Sequence, residues 1–111
     1  GKYNEAISAF DALLSSDVSD RDKGIICHNI AVIYKEQNLS GSALSWYERG
    51  RDYERPHGGT VNVTALGSYL YDSGRFSESL TVWEDMLKWP SLTEVEKNNI
   101  RNNIALIKER L

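Results

Sequence analysis

The chain has 111 residues, enough for one ordinary domain, and its 41 % hydrophobic and 26 % charged residues exclude a disordered or collagen-like chain. A formal charge of −3 argues against a basic face for nucleic acid, whose phosphates are gripped mainly by Lys and Arg. The lone Cys27 excludes an internal disulfide and a cysteine-rich zinc site, and the longest apolar run, 30–34, is far short of the roughly 20 residues of a membrane helix.

Apolar and small residues recur at i, i+3, i+4 and i+7, the spacing of one helix face, and predict six helices of two alternating types, B and A. A B helix spans 2–15, with Gly1, Tyr3, Ala6, Phe10 and Leu13 in its pattern. An A helix spans 20–37, opened by the capping pair Ser19 and Asp22 and striped by Cys27, Ile30, Ala31 and Tyr34. The next B helix, 40–54, carries Ala43, Tyr47 and Gly50, with Asn38 and Ser40 where the other copies have glycine and an aromatic. Pro56 follows it, and Gly58-Gly59 loosens the turn before Thr60. The A helix 60–73 carries Val63, Leu66, Gly67 and Leu70 and ends at Gly74 in the left-handed conformation. The B helix 77–89 carries Ser79, Trp83 and Met86 and is followed by Pro90. A last A helix, 92–110, has capping pairs at Ser91/Glu94 and Thr93/Glu96. Its core slots hold Arg101, Ile104, Ala105 and Lys108, which leaves Ile100, Ile104, Ile107 and Leu111 as its apolar stripe.

The small residue of the B pattern moves from Ala6 to Ala43 to Ser79, and that of the A pattern from Ala31 to Gly67 to Ala105, steps of 36 to 38 residues in phase with each other. On Leu66-Gly67, Phe76, Trp83 and Pro90 in one copy, and on Ile30-Ala31, Tyr34, Ala43, Tyr47 and Pro56 in another, the chain resembles the tetratricopeptide repeat (TPR) family. It departs from the family where Cys27 and Val63 stand in the usual tryptophan slot and Ser79 replaces alanine. The resemblance implies an all-α fold, a right-handed α-solenoid of antiparallel helix pairs in a single domain. Its parts are a half repeat (1–17), two repeats (20–56 and 58–90) and a C-terminal half repeat or capping helix (92–111). Small residues let the paired helices approach closely, and Tyr34, Trp46, Tyr47 and Trp83 read as core.

Catalytic chemistry is not found. Cys27 and His28 are adjacent and point roughly 100° apart on a helix, so they cannot chelate one ion, and no HExxH, GxSxG, Walker or GxGxxG motif occurs. Arg49, Arg51 and Arg55 interleave with Glu48, Asp52 and Glu54 and read as a solvated helix end. The segment from Arg55 to Thr60, ahead of a helix N-terminus, reads as a loop rather than a phosphate site. The expectation is a non-enzymatic protein with no catalytic, cofactor-binding or metal-binding residues.

Each A helix carries a second stripe outside the core: Ile25, His28, Asn29, Val32, Lys35 and Glu36; then Val61, Thr64, Ala65, Ser68, Tyr71 and Asp72; then Asn99, Asn102, Asn103, Leu106, Glu109 and Arg110. The family resemblance implies that these faces line a concave groove for a peptide or partner protein. It makes His28, Asn29, Val32, Lys35, Thr64, Ser68, Tyr71, Asn99, Asn102, Asn103 and Leu106 the candidate binding residues. Asn29 and Asn103 fill the family slot that hydrogen-bonds a ligand backbone, and Ala65 leaves it empty. A carboxylate clamp for chaperone tails is not expected, because Lys35 and Arg110 are the only cations on the three stripes. The expected role is a cytoplasmic protein-interaction module with no nucleic-acid or membrane partner. Two alternatives are a regulatory or targeting segment of a larger enzyme, such as a bacterial glycosyltransferase, and self-association through the terminal helices.

Overall fold

The computed structural model describes residues 1–111 and is all-α: helical residues make up 78 % of the chain and leave no strand. The helices are α1 (Lys2–Leu14), α2 (Asp20–Glu36), α3 (Ser40–Glu54), α4 (Val61–Asp72), α5 (Phe76–Leu87) and α6 (Glu94–Lys108), with a 3-10 turn at Arg55–His57. No helix is long and apolar enough to cross a membrane.

Local chemistry sets the helix ends. The Ser19 hydroxyl accepts from the Asp22 amide at 3.2 Å and opens α2. At α6 the capping box is reciprocal: the Thr93 hydroxyl accepts from the Glu96 amide at 3.1 Å, and the Glu96 carboxylate accepts from the Thr93 amide at 2.9 Å. Ser91 is not the cap, because the helix starts three residues after it. Pro56 sits inside the 3-10 turn rather than beyond it, at a position where its missing N–H costs no helical bond.

The two turns that follow α2 and α4 have one construction. Asn38 (φ 61°) and Gly74 (φ 77°) are both left-handed. After α2 the Asn38 amide donates to the Lys35 carbonyl and the Leu39 amide to the Tyr34 carbonyl, both at 3.0 Å. After α4 the Gly74 amide donates to Tyr71 at 3.0 Å and the Arg75 amide to Leu70 at 2.9 Å. This pair of hydrogen bonds satisfies orphan carbonyls of the helix end. Asparagine tolerates positive φ better than other side chains, so Asn38 keeps the glycine's backbone function.

The chain divides into two compact units, Gly1–Asn62 and Val63–Leu111. In the first, α2 packs on α3 and α1 on α2. Its core comes from Ile26, Cys27, Ile30 and Ala31 of α2 with Ala43, Leu44 and Tyr47 of α3, and α1 contributes no buried residue. Ala31 and Ala43 are both fully buried, as the small-residue slots require. Tyr34 and Trp46 are only half-buried, and the Arg49 guanidinium lies 4.0 Å from the Trp46 ring centroid, so Trp46 serves a cation–π contact at the surface.

In the second unit, Val63, Trp83, Met86, Trp89, Leu92, Ile100, Ile104 and Ile107 form one hydrophobic cluster. A Cβ at Gly67 would lie 2.7 Å from Trp83 Nε1, so only glycine admits the indole. Ser79, in the place of an alanine, is fully buried and its hydroxyl donates to the Gly67 carbonyl at 2.8 Å. On α6, Ile100, Ile104 and Ile107 are buried, while Leu111 lies outside the helix and is exposed. Arg101, Ala105 and Lys108 face solvent, unlike Ala31 and Gly67 in the corresponding slot.

Candidate functional site

The last two turns of α4 and the C-terminal half of α6 each present three residues at i, i+3 and i+4: Ser68, Tyr71 and Asp72 on one, Asn103, Leu106 and Ile107 on the other. With Trp83 of α5 as a third wall they line an open pocket of about 180 Å³ within the second unit. Leu106, Ile107 and Trp83 make it apolar, while Ser68, Asn103, Asp72 and the Tyr71 hydroxyl supply polar groups at its edge. The Tyr71 ring is half-buried and held edge-on against Phe76 (centroids 5.2 Å apart), and its hydroxyl accepts a hydrogen bond from Arg110 Nε at 3.2 Å. Apolar walls with a few fixed polar groups are the usual makeup of a binding cleft.

Of the candidate residues, the pocket gathers Ser68, Tyr71, Asn103 and Leu106. Thr64 lies exposed one turn before Ser68, and Asn99 and Asn102 are exposed on α6 outside the pocket lining. His28, Asn29, Val32 and Lys35 lie along α2 in the first unit; the first three are half-buried and Lys35 is exposed. The His28 ring stands edge-on to Tyr47 at 5.7 Å, an aromatic packing contact. Trp83 and Ile107 line the pocket although their spacing marks them only as core.

A second polar arrangement, in the first unit, overturns one expectation. Glu54 is not part of a solvated helix end: it is 6 % exposed. Its carboxylate oxygens accept from the Asn62 backbone amide at 3.0 and 3.2 Å and from Asn62 Nδ2 at 2.6 Å. The second Nδ2 hydrogen goes to the Gly24 carbonyl at 2.9 Å, and Asn62 is fully buried. Glu54 thereby fills the anion-binding N-terminus of α4 with the chain's own carboxylate. The network is built on glycines. A Cβ at Gly24 would lie 2.8 Å from Glu54 Cγ, one at Gly59 would lie 2.9 Å from Glu54 Cβ, and one at Gly50 would overlap the whole Asn62 amide. Asn62 Oδ1 is left without a hydrogen-bond partner beside Gly50. With its oxygens engaged by Asn62, Glu54 fastens the first turn of α4 to α3.

Cys27 is fully buried, and burial pushes its thiol above the ordinary range; the Arg49 charge opposes this, and Glu54 and Asp11 reinforce it. A thiol held neutral and inaccessible is a packing residue, not a nucleophile. No family model matches the chain, and no curated protein or solved structure does either.

Proposed function

We propose that the chain is a non-enzymatic protein-interaction module of the tetratricopeptide type, a right-handed solenoid of helix pairs that grips a peptide or partner protein on the faces of its A-type helices. The observation that carries this reading is the pocket between α4 and α6, where Ser68, Tyr71, Asn103 and Leu106 meet. Asn103 offers both a donor and an acceptor, so it grips a peptide bond whatever side chain follows. Tyr71 adds apolar area with a hydroxyl, the residue type favoured in binding hot spots. The turns centred on Asn38 and Gly74, 36 residues apart and bonded alike, support the repeat, and the buried thiol of Cys27 suits a reducing compartment such as the cytoplasm.

The test is an unbiased pull-down followed by titration calorimetry on purified variants. Each lost hydrogen bond costs about 0.5–1.5 kcal/mol, so Asn103→Ala combined with Tyr71→Phe should weaken the partner roughly tenfold. The exposed α3 variant Glu48→Ala should bind as wild type. Full affinity in the double variant, or loss confined to Glu48→Ala, would move the site off this face.

A further inference from the structure

Asp72 is the one acidic side chain that lines the pocket. It is the last residue of α4, where the negative end of the helix dipole favours a cation and disfavours a carboxylate. The last turns of α2, α3 and α6 carry Lys35, Arg51 and Lys108, whereas those of α1, α4 and α5 carry no basic residue. Two arginines close in sequence or in the pocket's surroundings have partners of their own. Arg75 holds Glu78 through two hydrogen bonds of 2.8 and 2.6 Å, and Arg110 donates to the Tyr71 hydroxyl. The Asp72 carboxylate forms no ion pair or hydrogen bond of its own. A local choice that costs stability without any compensation inside the fold points to a requirement outside it.

Resting on the interaction reading above, we propose that this pocket receives a lysine or arginine side chain of a partner peptide. The aliphatic stem lies on Trp83, Leu106 and Ile107, and the cationic head meets the Asp72 carboxylate at the rim. Long basic side chains bury their methylenes on apolar surface and keep the charge at the edge, which matches an apolar floor with one rim carboxylate. The space of about 180 Å³ leaves room for such a stem. A peptide carboxylate would meet Asp72 as a like charge, and a purely apolar side chain would cover Asp72 without pairing it.

The intact chain, immobilised, is panned against a random dodecapeptide phage library at low salt, and the recovered peptides are synthesised and titrated by calorimetry. Recovered sequences should share a Lys or Arg at one position. Replacing that residue by Ala, which also removes the stem, should weaken binding about five- to tenfold, and Asp72→Asn should weaken the unmodified peptide about two- to fivefold. Added salt should weaken the wild type more than Asp72→Asn. The melting temperature of Asp72→Asn should be unchanged or higher, which separates a binding charge from a structural one. Peptides that need Tyr71 and Asn103 yet show no basic residue and ignore Asp72→Asn would overturn this proposal and leave the interaction reading standing. Recovery of no peptide at all would count against both.

Discussion

Gly50 lies inside α3, and on helix propensity alone Gly50→Ala should stabilise the protein by about 0.8–1.0 kcal/mol. The structure reverses the sign. A methyl group there would press on the Cγ, Nδ2 and Oδ1 atoms of Asn62, closer than real side chains approach. The amide cannot retreat cheaply, because Nδ2 is held by the Gly24 carbonyl at 2.9 Å and by Glu54 at 2.6 Å in a fully buried site. Losing one neutral bond (about 0.5–1.5 kcal/mol) and one to a charged group (about 1.5–3 kcal/mol) outweighs the propensity gain, for a net loss of about 1–3.5 kcal/mol. Thermal melts and urea titrations followed by helix circular dichroism read this directly, at roughly 4–8 °C per kcal/mol for a domain of this size. Two controls sharpen it. Gly41, also in α3, has nothing within 4 Å of its Cβ position, so Gly41→Ala should be neutral or stabilising. In an Asn62→Ala background, the obstruction is gone and Gly50→Ala should become stabilising. A Gly50→Ala protein more stable than wild type, or one equally damaged with and without Asn62, would refute the reasoning.

Two further outcomes are expected. Asn38→Ala and Gly74→Ala should each cost about 1–2 kcal/mol in urea titrations, because both positions are left-handed, whereas Asn38→Gly should hold or raise stability. The Cys27 thiol, raised by burial, contributes stability fully below the pKa of an exposed thiol (about 8.5) and loses it as pH rises through the higher folded value. The urea midpoint should therefore fall with alkaline pH more steeply in wild type than in Cys27→Ala, and thiol reagents should label the folded protein slowly.

The helices were legible because their signals are local. Ser19 and Thr93 cap through bonds that span three residues, and Gly74 ends α4 through its own backbone angle. Asn38 looks like a departure from the repeat by residue type, yet its φ of 61° shows that the backbone conformation is what the slot demands. The pocket was half legible. Helical spacing puts Tyr71 beside Ser68 and Leu106 beside Asn103, but only tertiary packing decides that these two faces meet over Trp83. Asn62 and Glu54 were not legible, because a carboxylate among interleaved charges scores as solvated and an asparagine in a first helical turn scores as polar surface. The available signal lay in Gly24, Gly50 and Gly59, which are far apart in sequence and together clear the space that the pair fills.

Two carboxylates show why charge in the sequence does not by itself locate function here. Glu54 is buried at the N-terminus of α4, where the dipole and the Asn62 donors favour a negative charge, so its interactions are complete within the fold. Asp72 is exposed at the other end of the same helix, where the dipole opposes it and no donor meets it. Removing the first should leave the Asn62 amide buried and unpaired and cost stability. Removing the second should cost stability nothing. On the proposal above, a charge that the fold tolerates but does not use, set on the rim of an apolar pocket, draws its partner from another molecule.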